Sequence, residues 1–359
     1  MVRTVIDRFS ARNRIQTHGR SDSDDQNTLM SASHDAALEL DSVFSGSSTI
    51  GDLERLGYVN RSPRFVSGRT VIFASIVLSK GFFAWENQAT FDEFINNRRK
   101  FEKCLESGSG WPLFHFVSIG FKSYFNKNVP VNKVYKYKVV DNDKVDDIRE
   151  LNKELVCKNA TKSLYKVEFC CIFRNVSNSQ GLAFHKFVCF QPDGTRTPVF
   201  LLNKIGRKHS DCQIFEPITG TTLNLRWLGT TGYTSVFGSN DLKLVVLDDQ
   251  TPHLSHRLNG DTGSGQPEPE GNRSTRPLST MPLWARYSRA VSIIPIPKRR
   301  VLKLATFEIG EVEETSDVPF TTELLTCMCM YLHELESRKE RRTPLTTSPM
   351  FTVPFVDLV

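Results

Sequence analysis

The stretch "FTTELLTCMCMYLHELESRKERR", residues 320–342, sets four soft side chains in a row, Cys327, Met328, Cys329 and Met330, with His333 close behind. It reads either as a soft-metal site or as a buried helix. Helix geometry separates the two. Residues two apart on an α-helix point about 200° away from each other, so Cys327 and Cys329 cannot share one ion. Cys329 and His333 do share a face, but two ligands make half of a tetrahedral site, and nothing at a telling distance supplies the rest. The helix reading has more behind it. Leu324, Leu325, Tyr331, Leu332 and Leu335 join the Cys-Met run, so the stretch is apolar nearly all round. A surface helix would carry a polar stripe. The pattern therefore predicts a helix over about 320–338 whose first three turns are enclosed and which leaves into water from Glu336 onward. Pro319 suits the first turn, where a missing N–H costs nothing. Arg338, Lys339, Arg341 and Arg342 complement the dipole at the far end.

A helix without a polar face needs a wall around it, and the preceding sequence reads as strands. "NKVYKYKVV" (132–140) alternates with period two, Tyr135, Tyr137 and Val139 on one side and Lys136 and Lys138 on the other, the lysine side expected to face solvent. "SLYKVEFCCIF", "LAFHKFVCF" and "PVFLLNKI" are further strands, with "QPDGTRT" a Pro-Asp-Gly turn between the last two. "DCQIFEPITGTTLNLRWLG" reads as a hairpin through Pro217 and Gly220, and Leu242–Leu247 and "VLKLATFEIGE" add strands. "FDEFINNRRKFEKCLES" carries Phe91, Phe94, Ile95, Phe101 and Leu105 at helical spacing and predicts one helix over about 90–106. The expected fold class is α+β: an antiparallel, β-rich, barrel-like domain over 64–340 that encloses a C-terminal hydrophobic helix. Ser-, Asp- and Gly-rich residues 1–60 predict a disordered arm, 251–282 a disordered insertion within the domain, and 343–359 a tail.

The 359 residues are 39% hydrophobic and 24% charged, ordinary for a globular chain, and 25 phenylalanines predict an aromatic core. Eight cysteines show no C-x-x-C pair, which argues for free, buried thiols and against a disulfide framework or a zinc ribbon. The most apolar run, Val71–Trp85, is too short to span a bilayer and is interrupted by Lys80; it reads as core strand or helix. His115, His185 and His209 stand without a Ser or Asp partner at a telling spacing, and no phosphate loop or nucleophile elbow occurs. No catalytic residue, metal ligand or cofactor is assigned.

Charge carries the remaining signal. The net charge is +6, with a pI near 8.8. Lys204, Arg207 and Lys208 cluster in "NKIGRKHS", and Lys298, Arg299, Arg300 and Lys303 in "PKRRVLK"; Lys133, Lys136 and Lys138 line one strand. Clusters that meet would take an anion such as a phosphoinositide head group or a phosphoprotein. Nucleic acid is disfavoured, since no stacking platform accompanies the charge. "MVRTVIDRFSARNRIQTHGR" is an Arg-rich amphipathic start like a mitochondrial transit peptide, against which Asp7, Asp22, Asp24 and Asp25 argue.

"VLKLATFEIGE" followed by "PFTTELLTCMCMYLHELESRK" resembles the ending of the tubby C-terminal-like superfamily, which includes tubby proteins, phospholipid scramblases and LURP-one proteins. The hairpin "CQIFEPITGTTLNLRW" looks like that family's strand–Gly-turn–strand unit. The resemblance covers about 110–340. It implies a twelve-stranded barrel around a central hydrophobic helix, and phosphoinositide or membrane-lipid binding. The chain departs from it in the 251–282 insertion and in lacking the scramblases' acylated cysteine cluster. The expected function is that of a non-enzymatic intracellular adaptor or anionic-ligand-binding protein, in cytoplasm or nucleus. The alternatives are a scaffold acting through disordered arms, or a mitochondrial matrix assembly factor.

Overall fold

A computed structural model describes residues 65–119, 128–147, 152–177, 182–191, 193–204, 209–216, 220–229, 241–248, 251–254, 281–290 and 301–342. The expected arm 1–60, nearly all of the expected insertion and the tail 343–359 lie outside them. Period-two segments rich in Phe, Val, Ile and Leu form thirteen strands among these residues. They are β1 (Ser67–Ile76), β2 (Phe82–Trp85), β3 (Phe114–Ser118), β4 (Asn132–Asp141), β5 (Glu154–Lys158), β6 (Lys162–Ser177) and β7 (Leu182–Phe190). The others are β8 (Arg196–Lys204), β9 (His209–Glu216), β10 (Thr221–Gly229), β11 (Leu242–Val246), β12 (Leu283–Arg289) and β13 (Val301–Glu311). All neighbours pair antiparallel. The order runs β4-β3-β2-β1-β13 and then back in sequence from β12 to β6, and β6 pairs with β4 to close the ring. Twelve strands make the barrel. β5 stands outside the ring, paired with the first residues of β6. β11 and β12, on either side of the expected insertion, are hydrogen-bonded neighbours.

Closure removes the sheet edges and leaves an interior to fill. Helix α3 (Phe320–Arg342) fills it. Its Leu324, Leu325, Cys327, Met328, Cys329, Met330, Tyr331 and Leu332 are buried against inward residues of the ring, among them Phe73, Phe116, Phe187, Leu225, Trp227 and Phe307. Each fully buried Leu or Met side chain contributes about 1.5–3 kcal/mol, so enclosure by the ring is what stabilises this mostly apolar helix. The Glu323 N–H donates to the Pro319 carbonyl at 2.9 Å, confirming Pro319 at the helix start.

Outside the barrel, α1 (Gln88–Asn96) and α2 (Phe101–Ser107) cover the outer face of β1, β2 and β4. Phe91, Phe94, Cys104 and Leu105 pack there with Phe83, Trp85 and Tyr137. The single helix expected over 90–106 is thus two. Asn97 donates to Glu93 at 2.8 Å to end α1, and Arg98 and Arg99 then turn left-handed with φ of 54° and 62°. The apolar spacing runs through the break because both helices present the same face to the sheet.

The two faces of β4 are also reversed from expectation. Tyr137 lies under α1 and α2, while Lys136 points inward and pairs with Glu323 of α3. Alternation separates two faces but does not say which is inside, and here both are covered.

Candidate functional site

The lumen holds the residues most open to a chemical reading. His333 and the Tyr287 hydroxyl share a hydrogen bond at 2.5 Å through Nδ1, and the imidazole packs edge-on against Phe82. His185 is buried on β7 and shares a 2.8 Å hydrogen bond with the Tyr331 hydroxyl. Burial, with the nearby Arg174 charge, pushes its pKa down to about 4. On the outer face, His115 stacks on Phe83 at 4.1 Å and its Nε2 meets the Lys80 carbonyl at 2.7 Å; burial lowers its pKa to about 4. These two imidazoles are neutral and engaged. Burial raises the Cys327 and Cys329 thiols well above the ordinary range. Among the described residues no group of three or more His, Cys, Asp or Glu is placed to hold a metal ion. Lys133, Asn152 and the Cys171 thiol all donate to the Glu168 carboxylate, whose pKa they lower against the effect of burial.

Strand order makes the two mouths of the barrel different. Because neighbours alternate in direction, the connections β1–β2, β3–β4, β6–β7, β8–β9, β10–β11 and β12–β13 all join at the mouth where the C-terminal half of α3 emerges. Lys80 in the β1–β2 turn, Arg174 near the end of β6, Arg289 at the end of β12 and Arg338 on α3 stand there, with Asp241 before β11 and Glu334 and Glu336 on α3 among them. The Arg338 guanidinium donates to Glu334 at 2.7 Å and to the Ser118 hydroxyl at 2.9 Å, and Ser118 in turn accepts from Asn132 at 2.9 Å. The opposite mouth, where α3 begins, carries Glu216, Glu311, Glu313, Glu314 and Asp317, together with exposed Lys162 and Arg196 at the starts of β6 and β8. There Arg69 holds Glu311 at 2.7 Å.

Of the seven residues singled out for charge, Lys204 ends β8 at the cationic mouth, opposite Leu182 of β7. Lys303 lies on β13 and donates to Gln88 of α1 at 3.0 Å, on the barrel's flank. Arg207, Lys208, Lys298, Arg299 and Arg300 lie outside the described residues. Their chain neighbours Lys204, His209 and Val301 all belong to strand ends at the cationic mouth. Five ring steps separate β8 from β13, so those ends stand nearly opposite each other, on the order of 20 Å apart by strand spacing and tilt.

The rim also carries apolar residues that the sequence reading assigned to the core. Val71–Ile76 and Phe82–Trp85 are buried or half-buried strand, but Val77 is 55% exposed and Leu78 is fully exposed in the turn between them. Leu302, paired with the adjacent Ser75, is 42% exposed. A marker was available: "VLSKG" runs an apolar pair into a Ser-Lys-Gly turn. No described helix is long and apolar enough to cross a membrane.

No solved structure matches the chain. It is 39% identical over 332 residues to YNL165W, an uncharacterised protein of Saccharomyces cerevisiae, covering 85% of this chain and 79% of that one. Protein DIA1 of the same yeast is 28% identical over 191 residues, half of this chain and 52% of that one. The yeast protein YOR385W is 26% identical over 267 residues, 72% of this chain and 81% of that one. The family model for DIA1 matches residues 66–341, from just before β1 to the end of α3. The chain belongs to the DIA1 family.

Proposed function

We propose that this protein is a non-enzymatic module that docks on an anionic membrane surface, phosphoinositide-bearing membranes included, through the cationic mouth of the barrel. The observation that carries the reading is the arrangement of that mouth. Lys80 in the β1–β2 turn and Lys204 at the end of β8 stand six ring steps apart, on opposite sides of one rim, and can rest together on a charged plane. Each Lys or Arg near an anionic leaflet contributes about 1 kcal/mol. The closed ring with its enclosed helix is the architecture that the tubby C-terminal-like resemblance implies, and it favours placing the chain near that superfamily. A cytoplasmic leaflet, where anionic lipid is concentrated, is the proposed setting.

The test is sedimentation of the full chain with vesicles of neutral lipid, of neutral lipid plus phosphatidylserine, and of the latter plus a phosphoinositide, at low and high salt. Binding to the anionic vesicles that weakens with salt is expected, with loss in the K298E/R299E/R300E variant. Equal binding by that variant overturns the reading.

A further inference from the structure

The turn that carries Leu78 is built against the chain's own interest. Leu78 adopts φ of 71°, in the left-handed region that a branched side chain disfavours. Three residues later the same turn uses glycine. Gly81 has φ of 78°, and a Cβ there would lie 1.9 Å from the Phe116 carbonyl oxygen. Gly81 answers a constraint inside the fold. Leu78 answers none, since its side chain is fully exposed and Gly or Asn would take the same backbone at lower cost. Beside it stands Val77, and next in the chain after Ser79 is Lys80, exposed at the cationic mouth. A large apolar side chain held out on a strained turn amid cations has no return within the molecule.

We infer that Val77 and Leu78 form a wedge that enters the interfacial layer of an anionic bilayer once the cationic mouth has settled on it. This rests on the docking reading above and names its partner as a lipid bilayer, not a soluble phosphate or a phosphopeptide. Charge complementarity selects that occupant: Lys80 lies in the same turn as the wedge, Arg174 and Arg289 belong to strand ends at the same mouth, and apolar residues beside cations match the layered chemistry of an anionic membrane surface. A second copy of this chain would bring the same positive mouth against itself.

All eight native cysteines are buried, so Leu78→Cys places one accessible thiol on the otherwise native chain for an environment-sensitive fluorophore. With phosphatidylserine-containing vesicles at low salt, a blue shift is expected, with quenching by lipids brominated near the head group. Vesicle-bound protein whose emission stays unshifted overturns the wedge while leaving docking intact; failure of the unmodified chain to sediment overturns both. A blue shift that grows with protein concentration in the absence of vesicles assigns the turn to self-association and also overturns it. Leu78→Asn supplies a second readout. It relieves the strain, so the melting temperature should rise, while vesicle affinity falls about tenfold, the loss of one partly buried leucine. Undiminished affinity in that variant sinks the proposal.

Discussion

Lys136 and Glu323 form an ion pair between wall and helix, with side chains 24% and 5% exposed. Desolvation raises the Glu323 pKa, and Lys136 pulls it back. Removing the cation alone strands a buried carboxylate, so Lys136→Met should cost about 3–5 kcal/mol in denaturant unfolding at neutral pH. The K136M/E323Q pair should recover most of it. A raised carboxylate pKa means that Glu323 opposes folding least in acid, so the gap between K136M and the native chain should narrow as pH falls. The histidines act in the other direction. His115 and His185 fall from 6.5 to about 4 in the folded chain. The unfolded chain therefore binds more protons below pH 6.5, and stability should drop from there down to about pH 4. One such displacement corresponds to roughly 3 kcal/mol. Unfolding measured at pH 7.5, 6 and 5 should show this decline, and the H115Q/H185Q variant should flatten it. An equally steep decline in that variant would mean that other groups govern the acid limb.

Among the elements, α3 was the most legible and α1 with α2 the least faithful to expectation. Nine apolar residues without a polar stripe demand enclosure whatever the enclosing fold, which is why residues 320–338 could be read correctly from the sequence. Leu325→Ala should cost about 2–5 kcal/mol, because a cavity inside a closed ring has few ways to collapse. Arg338→Ala, at the half-exposed mouth, should cost less than about 1 kcal/mol. The break between α1 and α2 was hidden because helical spacing survives a short turn when both helices lie on the same sheet face. Arg98 and Arg99 hold left-handed conformations there. Arg99→Gly should therefore leave the fold unchanged and raise stability by up to about 1 kcal/mol, measured as a shift in the denaturant midpoint.

At the scale of the whole molecule, the sequence showed strands and a buried pillar but not the two-ended character of the barrel. Ring order depends on which strands pair across the closure, here β4 with β6, and a local pattern carries no information about that contact. Once the ring is known, the alternation of strand direction sorts every connection to one mouth or the other. Lys204 and Val301 lie about a hundred residues apart in sequence and end up on one rim; Glu216 and Glu311 gather at the opposite one. Long-range attraction to an anionic plane responds to the near mouth, since the far one lies beyond a Debye length of about 8 Å. Charge changes at the two mouths should therefore have unequal effects. Lys80→Glu, a two-unit change at the cationic mouth, should lower affinity for phosphatidylserine-containing vesicles by roughly tenfold at low salt. The E313K/E314K variant alters the net charge by twice as much, at exposed sites of the opposite mouth, and should leave that affinity within about twofold. If both variants moved the affinity in proportion to net charge, the orientation of the barrel on the membrane would be lost and only unspecific attraction would remain.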